Sequence, residues 1–499
     1  MTEPASSTQE VSLQPVRLPI EARKTVILLL GFAVFLAVYL SPPWPVAVDP
    51  AGKAFVLSRE GKAAIGLFLM AGIWWVFEVI PIGVTAIAIG VFQVLFFIRP
   101  AKEAFRDFMD PSVMFIFGSM VIGLAFTKSG LTKRIAYKML AVVGEHSERI
   151  LLGAMVVTAA LAHLMAHTAA AATVFPILLA IYALYGEGDK PTRFGKALFI
   201  GMAYAAGAGS IITFLGSARS PAAAGMYKEF TGEEIAFFDL PLYMGVIGWG
   251  MVLLTWLYLK TVLRPEKTVI PGLRDKVARL SAALGPMTAQ EKLVIACVLI
   301  VVGLMSAQAF VPALKGIDRA ALILTSTLLF FILGVLKVED LEQIPWNIIL
   351  LFSGAMSIGF CLWKTGAAEW MAVQWLGLLQ DAHWWVFIMG IATFVLVMTN
   401  FIMNVAAIAI TLPVSLVIAK YLGVAPEAIL YTSLVTAGMP FMLLIGAAPN
   451  AIAYDSKQFT TGEFFKHGLA MSAILLIVLG LALLTLWPWL GMPILIGRT

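Results

Sequence analysis

The chain has 499 residues, of which 61% are hydrophobic and 13% charged, whereas a soluble domain carries about 25% charged residues. Apolar runs of spanning length recur from Thr25 to the C-terminus, which excludes a soluble globular protein and predicts an all-α polytopic membrane protein surrounded by lipid; no run alternates as the strands of a membrane β-barrel do. The net charge of +5 lies mainly in short loops, where it sets orientation, so it is not read as nucleic-acid affinity.

Residues 1–24 read as a cytoplasmic tail, and because the first apolar run, 25–44, is long enough to span, no cleavable signal peptide is expected. Spans follow at 63–80, 82–98 and 113–127. The stretch 128–149 carries Lys128, Lys133, Arg134, Lys138 and Arg149, with Leu131, Ile135 and Met139 on one side, the pattern of a helix lying on the membrane surface. Residues 150–184 form an apolar segment interrupted at Ala166-His167-Thr168, with Pro176 in its second half. Each half falls short of the roughly 20 residues of a comfortable crossing. A span at 194–212, a polar interruption, a short helical piece from Pro221 and a span at 240–258 complete the first half.

Residues 260–292 form the one sizeable polar linker, with Lys260, Arg264, Lys267, Arg274, Lys276, Arg279 and Lys292. Beyond it come spans at 293–311, 320–336 and 346–362, a surface helix at 367–379, and a second interrupted segment at 384–422. That segment breaks at Met403-Asn404-Val405 and carries Pro413 in the matching place. Spans at 428–445 and 469–490 close the chain. Cys297 and Cys361 sit inside apolar runs and read as small core residues.

The two halves align. Ile122-Gly123 and Lys128-Ser129-Gly130 match Ile358-Gly359 and Lys364-Thr365-Gly366 at one offset, and nearly the same offset carries His167 onto Asn404, Ala170 onto Ala407 and Pro176 onto Pro413. With the N-terminus inside, the basic stretches 128–149, 190–196 and 260–292 fall on the cytoplasmic side, and 228–239, richer in acids, falls outside. This arrangement takes an odd number of full spans, eleven, so the second half enters upside down. The expected organisation is a tail (1–24), scaffold helices (25–149) and hairpin and transport helices (150–262) of repeat one, and a cytoplasmic linker (263–292). Scaffold helices (293–380) and hairpin and transport helices (381–499) of repeat two follow.

Paired interrupted segments at corresponding points of two repeats point to a transporter's binding site. A third repeated element is an interrupted span: Leu444-Ile445-Gly446-Ala447-Ala448-Pro449-Asn450 in the second half, Phe214-Leu215-Gly216-Ser217-Ala218-Arg219-Ser220-Pro221 in the first. Glycine and proline there free amides and carbonyls at membrane depth, tolerated only under protein cover or in a cavity wall. Freed amides at helix starts suit an anion and freed carbonyls suit a cation. Four such breaks are expected to converge on one pocket.

With these motifs the chain resembles the divalent anion/sodium symporter (DASS) family of the ion transporter superfamily. Gly446-Ala447-Ala448-Pro449-Asn450-Ala451 is similar to the family's second unwound loop, Asn404-Val405-Ala406 to its second hairpin tip, and His167-Thr168-Ala169-Ala170 to its first. The resemblance implies two inverted repeats, each with a re-entrant hairpin and an unwound helix, in a homodimer that moves a dicarboxylate, sulfonate or sulfate by an elevator motion in the cell's inner (cytoplasmic) membrane. It implies substrate contacts at His167, Thr168, Asn404, Val405, Ala447, Pro449 and Asn450, to which alignment of the two halves adds Ser217 and Arg219, and sodium contacts at Ala166, His167, Gly216, Met403, Asn404 and Gly446. Na+ is the implied coupling ion, with no other cofactor. The chain departs from the family pattern in both tips, Ala-His-Thr and Met-Asn-Val, and at Arg219, which stands where the second half has Pro449.

A permanent charge at the bilayer centre costs about 2.5–3.5 kcal/mol on insertion scales, so Arg219 is expected to have a task. It can pair with a substrate carboxylate, replace a sodium ion with a fixed charge, or cap helix-end carbonyls. His163 and His167, one turn apart, suit a hydrogen bond to substrate at the tip and a packing role behind it better than a metal, since no nearby Glu or Cys joins them. Thr399 and Asn400 offer further hydrogen bonds or helix-packing contacts. The scarcity of acids in the broken segments disfavours a cation/proton antiporter and suits an anion pocket. An anion exchanger without full sodium dependence stays open, and a membrane-embedded enzyme would need a nucleophile–base or metal constellation, for which His163 and His167 are too thin.

Overall fold

A computed structural model describes residues 22–48, 54–185, 190–308, 311–314, 316–379, 383–401 and 404–496; Met403 of the second break lies outside these residues. Most of the described chain is helical, as hydrocarbon demands of a backbone with no water to satisfy its amides and carbonyls. The first half runs α1 (Ala22–Leu40), a small antiparallel pair β1 (Ala47–Val48) and β2 (Ala54–Phe55), α2 (Arg59–Phe77), α3 (Ile82–Leu95), α4 (Ala101–Arg106), α5 (Pro111–Lys128) and α6 (Leu131–Val143). It continues with α7 (Ser147–Leu164), α8 (His167–Tyr182), α9 (Arg193–Ser210), α10 (Arg219–Thr231) and α11 (Asp239–Val262). After α12 (Leu273–Ala283) come α13 (Ala289–Ala307), α14 (Arg319–Ile332), α15 (Trp346–Lys364), α16 (Ala367–Leu379), α17 (Trp384–Phe401), α18 (Asn404–Tyr421), α19 (Pro426–Ala437), α20 (Ala448–Tyr454) and α21 (Thr461–Leu481).

Among the described residues nine helices are long and apolar enough to cross a membrane. Those nine include the hairpin arms α7, α17 and α18, so length does not separate arm from span as expected from the sequence. What marks the first hairpin is its turn: Met165 and Ala166 are extended (ψ 163° and 132°) between two helices. Pro176 and Pro413 lie inside α8 and α18 without ending them.

The order α5 to α11 recurs as α15 to α21, and the packing recurs with it. α5 packs on α14 while α15 packs on α3; α10 packs on α18 and α19 while α20 packs on α8 and α9. The second piece of each broken helix therefore lies against the hairpin of the other half. Small residues permit the closest approaches: a Cβ on Gly209 would meet Ala159 Cα at 2.6 Å, and one on Gly354 would meet Ala86 Cα at 2.5 Å.

Two sequence expectations change. The linker contains α12, whose Leu273 and Val277 are buried over α6; its lysines and arginines masked an apolar stripe at helical spacing. And α6 is not simply a surface helix. Arg134 is buried, its Nε 2.7 Å from Glu291 of α13, and its other nitrogens donate to the carbonyls of Leu284, Gly285 and Pro286. Protein covers α6 where headgroups were expected.

Gly209→Val places a branched side chain against the α7 backbone, and overpacking of this kind costs about 1–3 kcal/mol. The purified variant should unfold at a lower temperature than the parent; an unchanged melting curve would show that α7 and α9 are not held this closely.

Candidate functional site

The first hairpin tip is fastened to the first unwound loop, residues 211–218. The His167 amide donates to Gly216 O at 3.1 Å, His163 Nδ1 lies 2.9 Å from Gly209 O, and Thr213 Oγ1 donates to His163 O at 2.6 Å. Gly216 is required here: a Cβ would sit 2.3 Å from Ala162 O. Helix α8 starts with no side-chain cap, so the first-turn amides of Thr168 and Ala169, which an α-helix leaves unpaired, lie at the tip.

The second tip uses side chains for the same task. Asn400, fully buried, accepts at Oδ1 from the amides of Met442 (2.8 Å) and Leu443 (3.1 Å) and donates Nδ2 to Leu396 O. Thr399 Oγ1, also fully buried, lies 3.0 Å from both Asn404 Oδ1 and Ala437 O. Asn450 Nδ2 donates to Pro440 O and Leu443 O. A Cβ on Gly446 would meet Thr399 O at 3.2 Å, the counterpart of Gly216 against Ala162 O. Main-chain groups of the broken backbone from 437 to 443 are thus satisfied by two asparagines and a threonine, as burial at membrane depth requires.

Both tips and both loops meet in one cavity of about 470 Å3. Ala166, His167, Thr168 and Ala169 line it from the first hairpin, Asn404 and Val405 from the second, Ser217 and Ala218 from the first loop, and Leu444 to Ala448 from the second. Met120, Gly123 and Thr127 of α5 and Ile348 and Phe352 of α15 face it. Exposed Glu78, Gln343 and Pro345 form its rim, next to the Lys128–Asp340 pair at 2.7 Å, whose ammonium holds the Asp340 carboxyl below the usual carboxylate range.

Of the residues expected at the site, Ala166, His167, Thr168, Ser217, Asn404, Val405, Gly446 and Ala447 line this cavity. Gly216 stands behind it as the acceptor for His167. Pro449, in the first turn of α20, and Asn450 do not line it, Asn450 being spent on the loop's carbonyls. Arg219 does not line it either. It is fully buried behind the wall, its two terminal nitrogens 2.8 Å from Ser217 Oγ and 2.9 Å from Ser210 Oγ.

The same plan occurs in known proteins. The sodium:sulfate symporter transmembrane-region signature matches residues 24–493. The chain belongs to the sodium:sulfate symporter family, the DASS family that its motifs resemble. Family relatives include the sodium-dependent dicarboxylate transporter SdcS of Staphylococcus saprophyticus, 25% identical over 453 residues and 87% of each chain. The SdcS protein of Staphylococcus aureus is 25% identical over 467 residues and 88% of each chain. In fold, the chain is similar to the Alcanivorax borkumensis YdaH transporter (TM-score 0.57, 13% identity, 94% and 98% of the two chains). It is also similar to Neisseria gonorrhoeae MtrF (TM-score 0.56, 14% identity, 92% and 93%). As a sodium:sulfate symporter-family member, the chain is a multi-pass membrane transporter.

Sequence reasoning missed two features of this family member's site. The second helix stops at Ala437, not near Ile445, and the signal was present as Gly438-Met439-Pro440, since proline disfavours helix in the residue before it. Glu78 on the cavity rim, held in the left-handed region at φ 43°, carried no sequence signal beyond its place between two spans.

Asn400→Ala would orphan the Met442 and Leu443 amides, at about 1–3 kcal/mol each. The variant is expected to melt earlier and to lose ligand-dependent thermal stabilisation, while Thr393→Ala, on the exposed side of α17, leaves both unchanged. Wild-type ligand stabilisation in Asn400→Ala would remove the loop-holding role.

Proposed function

We propose that this protein is a sodium-coupled carrier of small dianions in a plasma membrane, with dicarboxylates as the leading class and sulfonates or sulfate next. The observation that carries the reading is the single cavity that both hairpin tips and both unwound loops line. First-turn amides of α8 and α18, with His167, Thr168, Ser217 and Asn404, give the carboxylates hydrogen-bond donors without a lining cation, and helix starts favour negative charge. The apolar wall from Phe352, Ile348 and Val405 suits the carbon chain between two carboxylates. The SdcS relatives, named as sodium-dependent dicarboxylate transporters, support the same class.

Sodium has a natural position in repeat two, where Thr399 Oγ1, Asn404 Oδ1 and Ala437 O already approach one another; helix-end carbonyls and side-chain oxygens suit such an ion. With the basic loops inside, the rim at Glu78 and Gln343 opens to the cytoplasm, so this is the inward-facing state. A homodimeric scaffold, inverted repeats and an elevator motion of α7 to α10 and α17 to α20 complete the reading; the protein is a carrier and catalyses no covalent chemistry. Anion exchange without full sodium dependence is the second reading, favoured by the permanent charge of Arg219.

Proteoliposomes containing the protein should accumulate labelled succinate under an inward sodium gradient, and His167→Ala and Asn404→Ala should each reduce this at least about tenfold, a loss of about 1.4 kcal/mol or more. Uptake that needs internal dicarboxylate and ignores sodium would favour exchange. No uptake of any dicarboxylate, sulfonate or sulfate would end the proposal.

A further inference from the structure

The two halves treat their unwound loops differently. By the register that sets His167 on Asn404, Ala162 stands opposite Thr399 and His163 opposite Asn400. The close approaches give the same register independently: Gly216 abuts Ala162 O as Gly446 abuts Thr399 O. Repeat one has therefore replaced the Thr399 hydroxyl by a methyl group and the Asn404 amide oxygen by an imidazole. At these two positions repeat one lacks the side-chain oxygens of repeat two, and the nearby hydroxyls of Ser210 and Ser217 are taken by Arg219.

In its place stands a guanidinium. Arg219 folds back from the first turn of α10, and its terminal nitrogens donate to Ser217 and to Ser210, the last residue of α9. A Cβ on Gly438, the residue that ends α19, would lie 2.7 Å from one of those nitrogens and 3.0 Å from the guanidinium carbon. The positive group thus sits between the C-terminal ends of the first pieces of both broken helices. Each such end carries about half a negative charge, and interrupted-helix C-termini are where transporters hold a coupling cation. Both Arg219 partners are neutral hydroxyls, Nε has no partner, and no carboxylate pairs with the group among the described residues. A buried charge without a counter-ion calls for an anion nearby, and Ser217 both hydrogen-bonds the guanidinium and lines the cavity.

We propose that Arg219 is a built-in cation that takes the place of a coupling sodium ion in repeat one, so that a dianion is carried with a single sodium ion, bound in repeat two. The proposal rests on the sodium-coupled reading above and fixes its stoichiometry. By occupying the Ser210 and Ser217 hydroxyls the guanidinium keeps a second sodium ion off them, and the fixed charge makes the repeat-one wall positive in the absence of sodium.

Dual-label flux of 22Na+ and 14C-succinate in proteoliposomes should give about one sodium ion per succinate in the wild type and in Arg219→Lys, and about two in Arg219→Ser, with a higher half-saturating sodium concentration in the last. Two or more sodium ions per succinate in the wild type would overturn the proposal, and so would an unchanged ratio and uptake in Arg219→Ser. If Arg219→Ser does not fold, the wild-type ratio decides. A sodium titration of thermal unfolding in detergent, with potassium as the reference, needs no substrate and so separates this proposal from a wrong substrate class. Stabilisation should rise with the logarithm of sodium concentration at a one-site slope in the wild type and Arg219→Lys, and at a steeper slope in Arg219→Ser. Equal slopes in all three would contradict it.

Discussion

A backbone broken inside a membrane must have its amides and carbonyls satisfied by protein, and the rest of this structure follows from how that is done. The second loop leans on Asn400, Asn450 and Thr399, each committed to main-chain groups of 437–443. The first loop uses main-chain bonds from the tip, at His167 to Gly216, with His163 and Thr213 closing the contact. Each loop is thereby fixed to the hairpin beside it. Because the second piece of each broken helix packs on the opposite hairpin, the four breaks are held as one unit around one cavity.

The shared plan supports unequal chemistry. Repeat two offers oxygens: a hydroxyl with an amide oxygen and a helix-end carbonyl each 3.0 Å from it. Repeat one offers a guanidinium and an imidazole in the corresponding region. The two halves share a backbone plan, and substitution at a few positions gives them different side-chain chemistry. The outer wall of the cavity, from α5 and α15, belongs to neither loop and contributes mostly apolar surface.

Much of this arrangement was legible in the sequence, for specific reasons. The tips were visible because small polar residues interrupt long apolar runs, and His167 and Asn404 do begin α8 and α18. The register between halves was visible because Lys128 and Lys364 end corresponding helices. Helix length was a poor guide, since three hairpin arms reach spanning length, and the extent of the second loop was underestimated because Gly438 and Pro440 were read through as span. The rotamer of Arg219 was beyond sequence reasoning: charge and position are written in the chain, but whether a long side chain enters a cavity or folds behind its wall depends on where Ser210, Ser217 and Gly438 come to rest. The same holds for α6, whose burial under the linker is set by Arg134 finding Glu291 and three carbonyls far away in sequence.

The central claim is that elements from both halves hold one solute in one cavity. It is tested most directly with Thr168→Cys and Ala448→Cys, made separately in a background with Cys297 and Cys361 replaced by serine, by following thiol alkylation from the cytoplasmic side as succinate is added. Both positions line the cavity, one at the first tip and one at the second loop. The account predicts that succinate protects both thiols with the same half-maximal concentration. Protection of one with no effect on the other, at saturating succinate, would contradict it.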